Sequence, residues 1–407
     1  MNLSNSNKGP YNYLIVGAGI LGLTIARTLL ARSSSFKIAI LEKEAKVASH
    51  ASGRNSGVLH AGFYYTADSL KARFCVEGNQ ALHQFCEQEG LSIHRGGKLV
   101  VAQSESEVPI LEELKRRGDV NGSTVELVSE EEAKEIDPMV RTVQKALYSP
   151  NTSTVDPKEV CSRLREQLLK SGVQIITDCR VVSLGMNSVS TSQGEYEYHY
   201  LVNAAGLYAD QLAKTMGLSQ KYSILPFKGL YLKCPEQYNA LKTSVYPVPS
   251  PDNPFLGVHF TKVVSGVSKI GPTAVPALWR ENYQGLENFR LEEVWPILGS
   301  VLKLGLNNNF NFRKLAIEEV RKYSRSYLLN CAQKLLRVPL EGEFKVLPAG
   351  IRAQLLDEES QTLVQDFVLE HNTRSTHILN AVSPAFTCSF PFAEYVVDKV
   401  FENQNKS

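Results

Sequence analysis

The chain has 407 residues, 43% of them apolar and 21% charged, which is enough for two domains or for one large core carrying a second lobe. A net charge of +2 speaks against a dedicated nucleic-acid binder, so any acidic partner must be met locally. Seven cysteines without a CxxC pair fit neither a disulfide framework nor a structural zinc site, and a reducing, cytoplasmic compartment is expected.

The apolar run "YLIVGAGILGLTIA" from Tyr13 stands where a signal peptide's core would stand. Its flank carries one lysine, Lys8, and no small-residue cleavage site follows, so it reads as folded structure. Tyr11 to Val16 is predicted as a strand, "GAGILG" as a turn, Leu21 to Ala31 as a helix and Lys37 to Leu41 as a second strand closed by Glu42. Ser69 to Glu89 is predicted as an amphipathic helix that Gly90 stops, and "GGKLVVA" from Gly96 as a strand. The acidic stretch Glu126 to Asp137 suggests a surface helix. Asp156 caps a helix with proline in its first turn, and Gly172 ends it.

The strands "VQIIT", "RVVSLGM" and "YLVNAAG" return the chain to its opening layer, with a helix following near Asp210. From Ser223 to Ile270, short strands and prolines predict an antiparallel lobe, and Ala277 to Leu340 reads as mainly helical. "LPAGIRAQ", "FVLEHN" and "HILNAVSPAFTCSF" then lead into a C-terminal helix. The expected class is α/β, a Rossmann-like unit assembled from residues 1–80, 150–220 and 341–407. An α+β unit with an antiparallel sheet is expected from residues 81–149 and 221–340.

Gly17, Gly19 and Gly22 fit the dinucleotide turn: one for the tight bend, one for close approach to a pyrophosphate, one for packing helix on sheet. Anionic phosphates are favoured at the helix N-terminus that follows, beside Ala18 and Ile20. Glu42, about 20 residues beyond Gly22, suits ribose hydroxyls and would repel a 2′-phosphate, which disfavours NADP. These residues do not separate NAD from FAD, because both carry the same ADP half.

"VGAGILGLTIARTLL" with Glu42, "SGRNSGVLHAGFYY", "YLVNAAGLYAD", "LPAGIRAQ" and "SPAFTCS" occur in the order seen in a known superfamily. The chain resembles flavoproteins of the D-amino-acid oxidase and glycerol-3-phosphate dehydrogenase superfamily. "SLKARFCVEG", "LPFKGLYL", "YPVPSPDNPFLGVHFT" and "GPTAV" make it most similar to the L-2-hydroxyglutarate dehydrogenases and oxidases. The resemblance implies FAD as cofactor, a hydroxy dicarboxylate oxidised to the oxo acid, and electrons passed to a quinone or to oxygen. An FAD-dependent amino-acid oxidase and a flavin-binding interaction protein without turnover remain alternatives, and a nicotinamide dehydrogenase is a weaker one.

Under that resemblance, Lys43, Ser52, Arg54, Asn55, Ser56 and Gly57 join the glycine turn as cofactor contacts. Val182, Ala204, Ala205, Gly206, Gly350, Arg352, Ser383 and Pro384 complete the set, with the start of the C-terminal helix near the flavin C2 carbonyl. Oxidation of a 2-hydroxy acid needs a base for the hydroxyl proton and cations for the carboxylates. His60 is the first candidate for the base and His259 the rival. Arg352 is the first candidate carboxylate ligand and Lys228 and Arg54 come next, with Tyr64, Tyr65 and Tyr231 as hydroxyl donors. His50 is expected to be structural or to touch the cofactor, and no metal site is expected. The basic residues Arg313, Lys314, Arg321, Lys322 and Arg325 offer a peripheral contact with an anionic membrane surface.

Overall fold

The computed structural model describes residues 9–249 and 256–405, so Lys8 and the part of the proline-rich stretch from Ser250 to Phe255 lie outside the described residues. Strand Tyr11–Val16 lies between two parallel neighbours, Ile38–Leu41 and Gly194–Asn203. Gln174–Ile176 extends the sheet beyond the first neighbour and Ser375–Asn380 beyond the second, both in parallel. The inner strands are buried on both faces, which is why they read as unbroken apolar runs rather than as alternation.

Helices Ile20–Arg32, Leu70–Gln88, Pro157–Lys170 and Ser389–Gln404 contribute to one apolar core with this sheet. Two of them begin at a capping side chain. The Ser69 hydroxyl accepts the amide of Ala72, and the Asp156 carboxylate accepts those of Lys158 and Glu159. Leu82, Phe85 and Cys86 belong to this core, so a unit boundary at residue 80 would cut a helix that packs as a single piece. The acidic stretch resolves into strand Glu126–Ser129 and helix Glu130–Ile136, joined by a capping box between Ser129 and Glu132.

A second sheet carries Lys98–Val101, Lys145–Ser149, Tyr222–Lys233, Ser244–Pro247, His259–Lys262 and Ser268–Gly271. Most of its pairs are antiparallel, but Ser244–Pro247 runs parallel to Lys98–Val101. Strand Lys345–Asp357, grouped by sequence with the first unit, belongs here instead. It pairs antiparallel with Tyr222–Lys233 from one end to the other, and that long ladder decides its place. Helices Leu291–Asn307, Phe312–Arg321 and Arg325–Gln333 flank this sheet. No helix of the described residues is long and apolar enough to cross a membrane.

Candidate active site

In parallel α/β sheets the open crevice lies at the carboxyl ends of the strands. Gly17, Glu42 and Ala204 each follow the carboxyl end of one of three adjacent strands, and all three line one cavity of about 1720 Å³. Drug-sized ligands occupy roughly 300–1,000 Å³, so this space accommodates a dinucleotide together with a second small molecule.

The turn is tightly built. Gly17 has φ +103°, and a Cβ there would come within 2.5 Å of the Ala204 carbonyl. A Cβ on Gly22 would reach 1.9 Å from the Gly17 carbonyl. Gly19 offers no side chain to cap helix Ile20–Arg32, and the Ser52 hydroxyl accepts the Ile20 amide instead, at 2.9 Å. One oxygen of the buried Glu42 carboxylate accepts the Ala18 amide at 2.8 Å and the other accepts that of Glu44 at 3.0 Å. A carboxylate has about four acceptor positions, so capacity remains for two hydroxyl donors. The residues present therefore fit the ADP half of FAD.

The segment Ser49 to Ser56 forms the adjoining wall. Asn55 holds it in shape by donating to the Ala51 and Ser52 carbonyls and accepting the Gly57 amide. Arg54 braces the same loop: its Nε donates to the Ser49 carbonyl at 2.8 Å and its guanidinium lies 4.2 Å from the centre of the Tyr283 ring. Gly350 packs so closely on the Arg54 carbonyl that a Cβ would stand 2.4 Å from it. Lys43 donates to Glu281 at 2.7 Å and also meets Glu44 and His50. The His50 Nδ1 faces the Tyr283 hydroxyl at 2.7 Å, which makes it part of the wall.

Farther along, the same cavity is lined by His60, Tyr64, Tyr65, Tyr231, Tyr246, His259 and Arg352. His60 is fixed through its backbone, which donates to Thr387 and accepts from Asn79, while its buried Nδ1 has no partner among the described residues. The Tyr64 hydroxyl is likewise buried without a partner among the described residues. His259 places Nδ1 at 2.9 Å from the Gly257 carbonyl; that contact assigns the proton to Nδ1 and leaves Nε2 as the acceptor.

Burial drives both histidines toward the neutral form, and Lys98 adds to the effect. His60 lies well below the ordinary imidazole range and His259 falls to about 3. Arg352 donates to the Thr273 carbonyl at 3.2 Å and is close enough to contribute to the lowered value of His259.

Ala205, Gly206, Ser383 and Pro384 line the cavity, and Val182 does so from an exposed position at its edge. Ala18, Gly22, Gly57 and Lys228 are not lining residues. Ala18 serves through its amide and Gly22 through packing, while a Cβ on Gly57 would meet the Val155 carbonyl at 2.1 Å. On strand Tyr222–Lys233, Gly229 and Tyr231 point to the cavity, so the intervening parity sends Lys228 to the other face. Sequence reasoning missed Lys98 and Tyr246. The available signal was a lysine opening an otherwise apolar strand.

The chain matches the family described as FAD dependent oxidoreductase over residues 12–399. It is 36% identical over 397 residues to an L-2-hydroxyglutarate dehydrogenase of Escherichia coli, covering 96% of this chain and 93% of that protein. It is 34% identical to the mitochondrial L-2-hydroxyglutarate dehydrogenase of Homo sapiens, covering 97% and 90%. Among solved structures it superposes on an FAD-bound L-alpha-glycerophosphate oxidase from Mycoplasma pneumoniae with TM-score 0.70 and 22% identity, covering 96% and 94% of the two chains.

Proposed function

The chain belongs to the FAD-dependent oxidoreductase family, and from that premise we propose that it oxidises L-2-hydroxyglutarate to 2-oxoglutarate. Bound FAD supplies the acceptor for the hydride that leaves the substrate carbon. One observation carries the reading: a single cavity joins the dinucleotide turn to a pair of buried, uncharged histidines beside an arginine and several tyrosine hydroxyls. These are the proton acceptor, cation and donors that a 2-hydroxy acid demands. The substrate named for the relatives supports the choice of acid.

In this reading His60 takes the hydroxyl proton and His259, its Nε2 free, is the alternative acceptor. Arg352 holds a carboxylate, with Tyr64, Tyr65 and Tyr231 donating to the remaining oxygens. Glu42 takes the ribose, the glycine turn the phosphates, and the loop Ser52–Ser56 with Ala204–Gly206, Gly350, Ser383 and Pro384 the rest of the cofactor. Lys228 and Gly57, lying off the cavity, are left out. The sheet built on Tyr11–Val16 is read as the FAD-binding domain and the second sheet as the substrate domain.

The test is anaerobic addition of L-2-hydroxyglutarate to the yellow holoenzyme. Loss of the oxidised flavin absorbance is expected with this acid. Bleaching by an amino acid or glycerol 3-phosphate but not by L-2-hydroxyglutarate overturns the substrate, and flavin that nothing reduces points to a binding protein without turnover.

For the electron acceptor we read a quinone met at an anionic membrane surface, with oxygen as the competing outcome. The support lies on helix Leu291–Asn307, where Leu291, Trp295, Leu298, Leu302 and Leu306 recur on one face and are 39–69% exposed. Burying side chains of this size stabilises by about 1.5–3 kcal/mol each. Exposed Arg313, Lys314, Arg321 and Arg325 follow it in the chain, giving the pairing of apolar surface and positive charge that suits anionic lipid. Lys322 does not join them, because it is buried and paired with Glu319.

A further inference from the structure

Lys98 opens strand Lys98–Val101 and is fully buried, and its ammonium nitrogen has no hydrogen-bond partner among the described residues. It stands among three aromatic rings: its Nζ is 4.3 Å from the ring centre of Tyr246, 5.0 Å from Tyr64 and 5.4 Å from Phe63. Tyr64 and Tyr246 line the cavity, whereas Lys98 does not, so the amine sits directly behind the wall. The His60 Nδ1 and the Tyr64 hydroxyl, both on that wall, are likewise buried without a hydrogen-bond partner among the described residues.

Native proteins satisfy or neutralise nearly every buried polar group, and an isolated buried ammonium is among the most costly. Three such groups around one end of a cavity mark a place whose partners arrive with a ligand. Aromatic faces attract a cation but do not replace a counter-ion.

We propose that Lys98 is the counter-cation for the anionic substrate, taking up one proton as a dicarboxylate enters the space bounded by Tyr64, Tyr246, His60 and His259. The assignment rests on the hydroxy-dicarboxylate reading given above. Burial pushes Lys98 down to about 7, and Cys75 on helix Leu70–Gln88 opposes the shift. Lys98 in turn disfavours protonation of His60 and His259, and Arg352 and Lys269 act on His259 in the same sense. At pH 8 Lys98 is therefore mostly a neutral amine. Two entering carboxylates favour its charged form, and the lysine fixes the anion electrostatically without touching it. Lys98 is thus a positioning residue, and a monoanion draws less of the proton.

The test uses the oxidised holoenzyme with 2-oxoglutarate, which binds without turnover, titrated calorimetrically at pH 8 in phosphate and in Tris. The difference in heat between buffers counts protons exchanged. About one proton is expected to be taken up by the native protein, almost none by Lys98→Met that has kept its flavin, and the native amount by His60→Gln. Lys98→Arg, permanently charged, is expected to bind without uptake. In the unmodified protein, affinity for 2-oxoglutarate is expected to weaken about tenfold per pH unit from about pH 7 upward and to level off once pH exceeds the lysine's value in the complex. This measurement needs no variant. Binding without uptake in the native protein, or unchanged uptake in Lys98→Met, overturns the assignment alone. Absence of any 2-oxoglutarate binding overturns the substrate reading, and the assignment with it.

Discussion

The imidazole of His259 lies flat against the ring of Tyr246, with 3.7 Å between ring centres and 14° between planes. With Nδ1 committed to the Gly257 carbonyl, the imidazole keeps its orientation only while both contacts persist. Tyr246→Leu is therefore expected to retain flavin while slowing anaerobic flavin reduction by up to about 10²-fold, the cost of a small misplacement at a reacting centre. Tyr246→Phe keeps the stack and should stay near the native rate. Stopped-flow absorbance decides it, and equal rates for the two variants would remove the stack from the chemistry.

His60→Gln is expected to bind FAD normally and to slow reduction by roughly 10²-fold or more, the range for loss of a general base. The same stopped-flow measurement applies. A native rate in this variant transfers the role to His259, whose Nε2 is the remaining acceptor.

Acid stability follows from the buried imidazoles. His259 titrates near 3 in the folded protein, against about 6.5 for a free imidazole. Between those values the unfolded chain binds a proton that the folded chain refuses. Stability is thus full above about pH 6.5 and declines as pH falls toward 3, at up to about 1.4 kcal/mol per pH unit from this group. Denaturant melts at pH 7 and pH 5 should show a smaller acid loss for His259→Gln than for the native chain; identical losses would contradict it.

Gly22→Ala places a methyl group 1.9 Å from the Gly17 carbonyl, which only backbone movement can relieve. The variant is expected to purify with little FAD and a lowered melting temperature. Gly299→Ala is the matched control. A Cβ there meets nothing within 4 Å, and the change should stabilise helix Leu291–Asn307 by about 1 kcal/mol. A fully loaded Gly22→Ala protein would refute the close-packing account of the turn.

Trp295→Glu combined with Leu302→Glu should abolish co-sedimentation with anionic vesicles at low salt while leaving flavin reduction intact. Native binding is expected to weaken at high salt through its basic flank. Undiminished binding of the double variant would reject the apolar face as the contact.

The dinucleotide unit was legible because its signals are local: a strand, three glycines at fixed spacing and an acid at the next strand end all fall within residues 11–42. The stacking of a late strand on an early one was not. Lys98 gained Tyr246, the nearest of its three rings, through pairing with Ser244–Pro247, and Lys43 met its counter-ion Glu281 across a still longer separation. Arg54, read from sequence as a cofactor or carboxylate ligand, spends its guanidinium on Ser49 and Tyr283, contacts that no spacing rule anticipates. Helix Leu291–Asn307 has the periodicity of a core helix, and only the packing reveals that much of its apolar face is uncovered.

The cavity draws its lining from Val16 near the beginning of the chain and from Ile378 to Thr387 near the end, with the intervening segments between them. During synthesis, the glycine turn would leave the ribosome hundreds of residues before the strand Ser375–Asn380 that flanks Gly194–Asn203. A nascent chain that has not reached that strand lacks part of the wall around the cavity. A message truncated before that strand yields an incomplete receptacle rather than a weaker one.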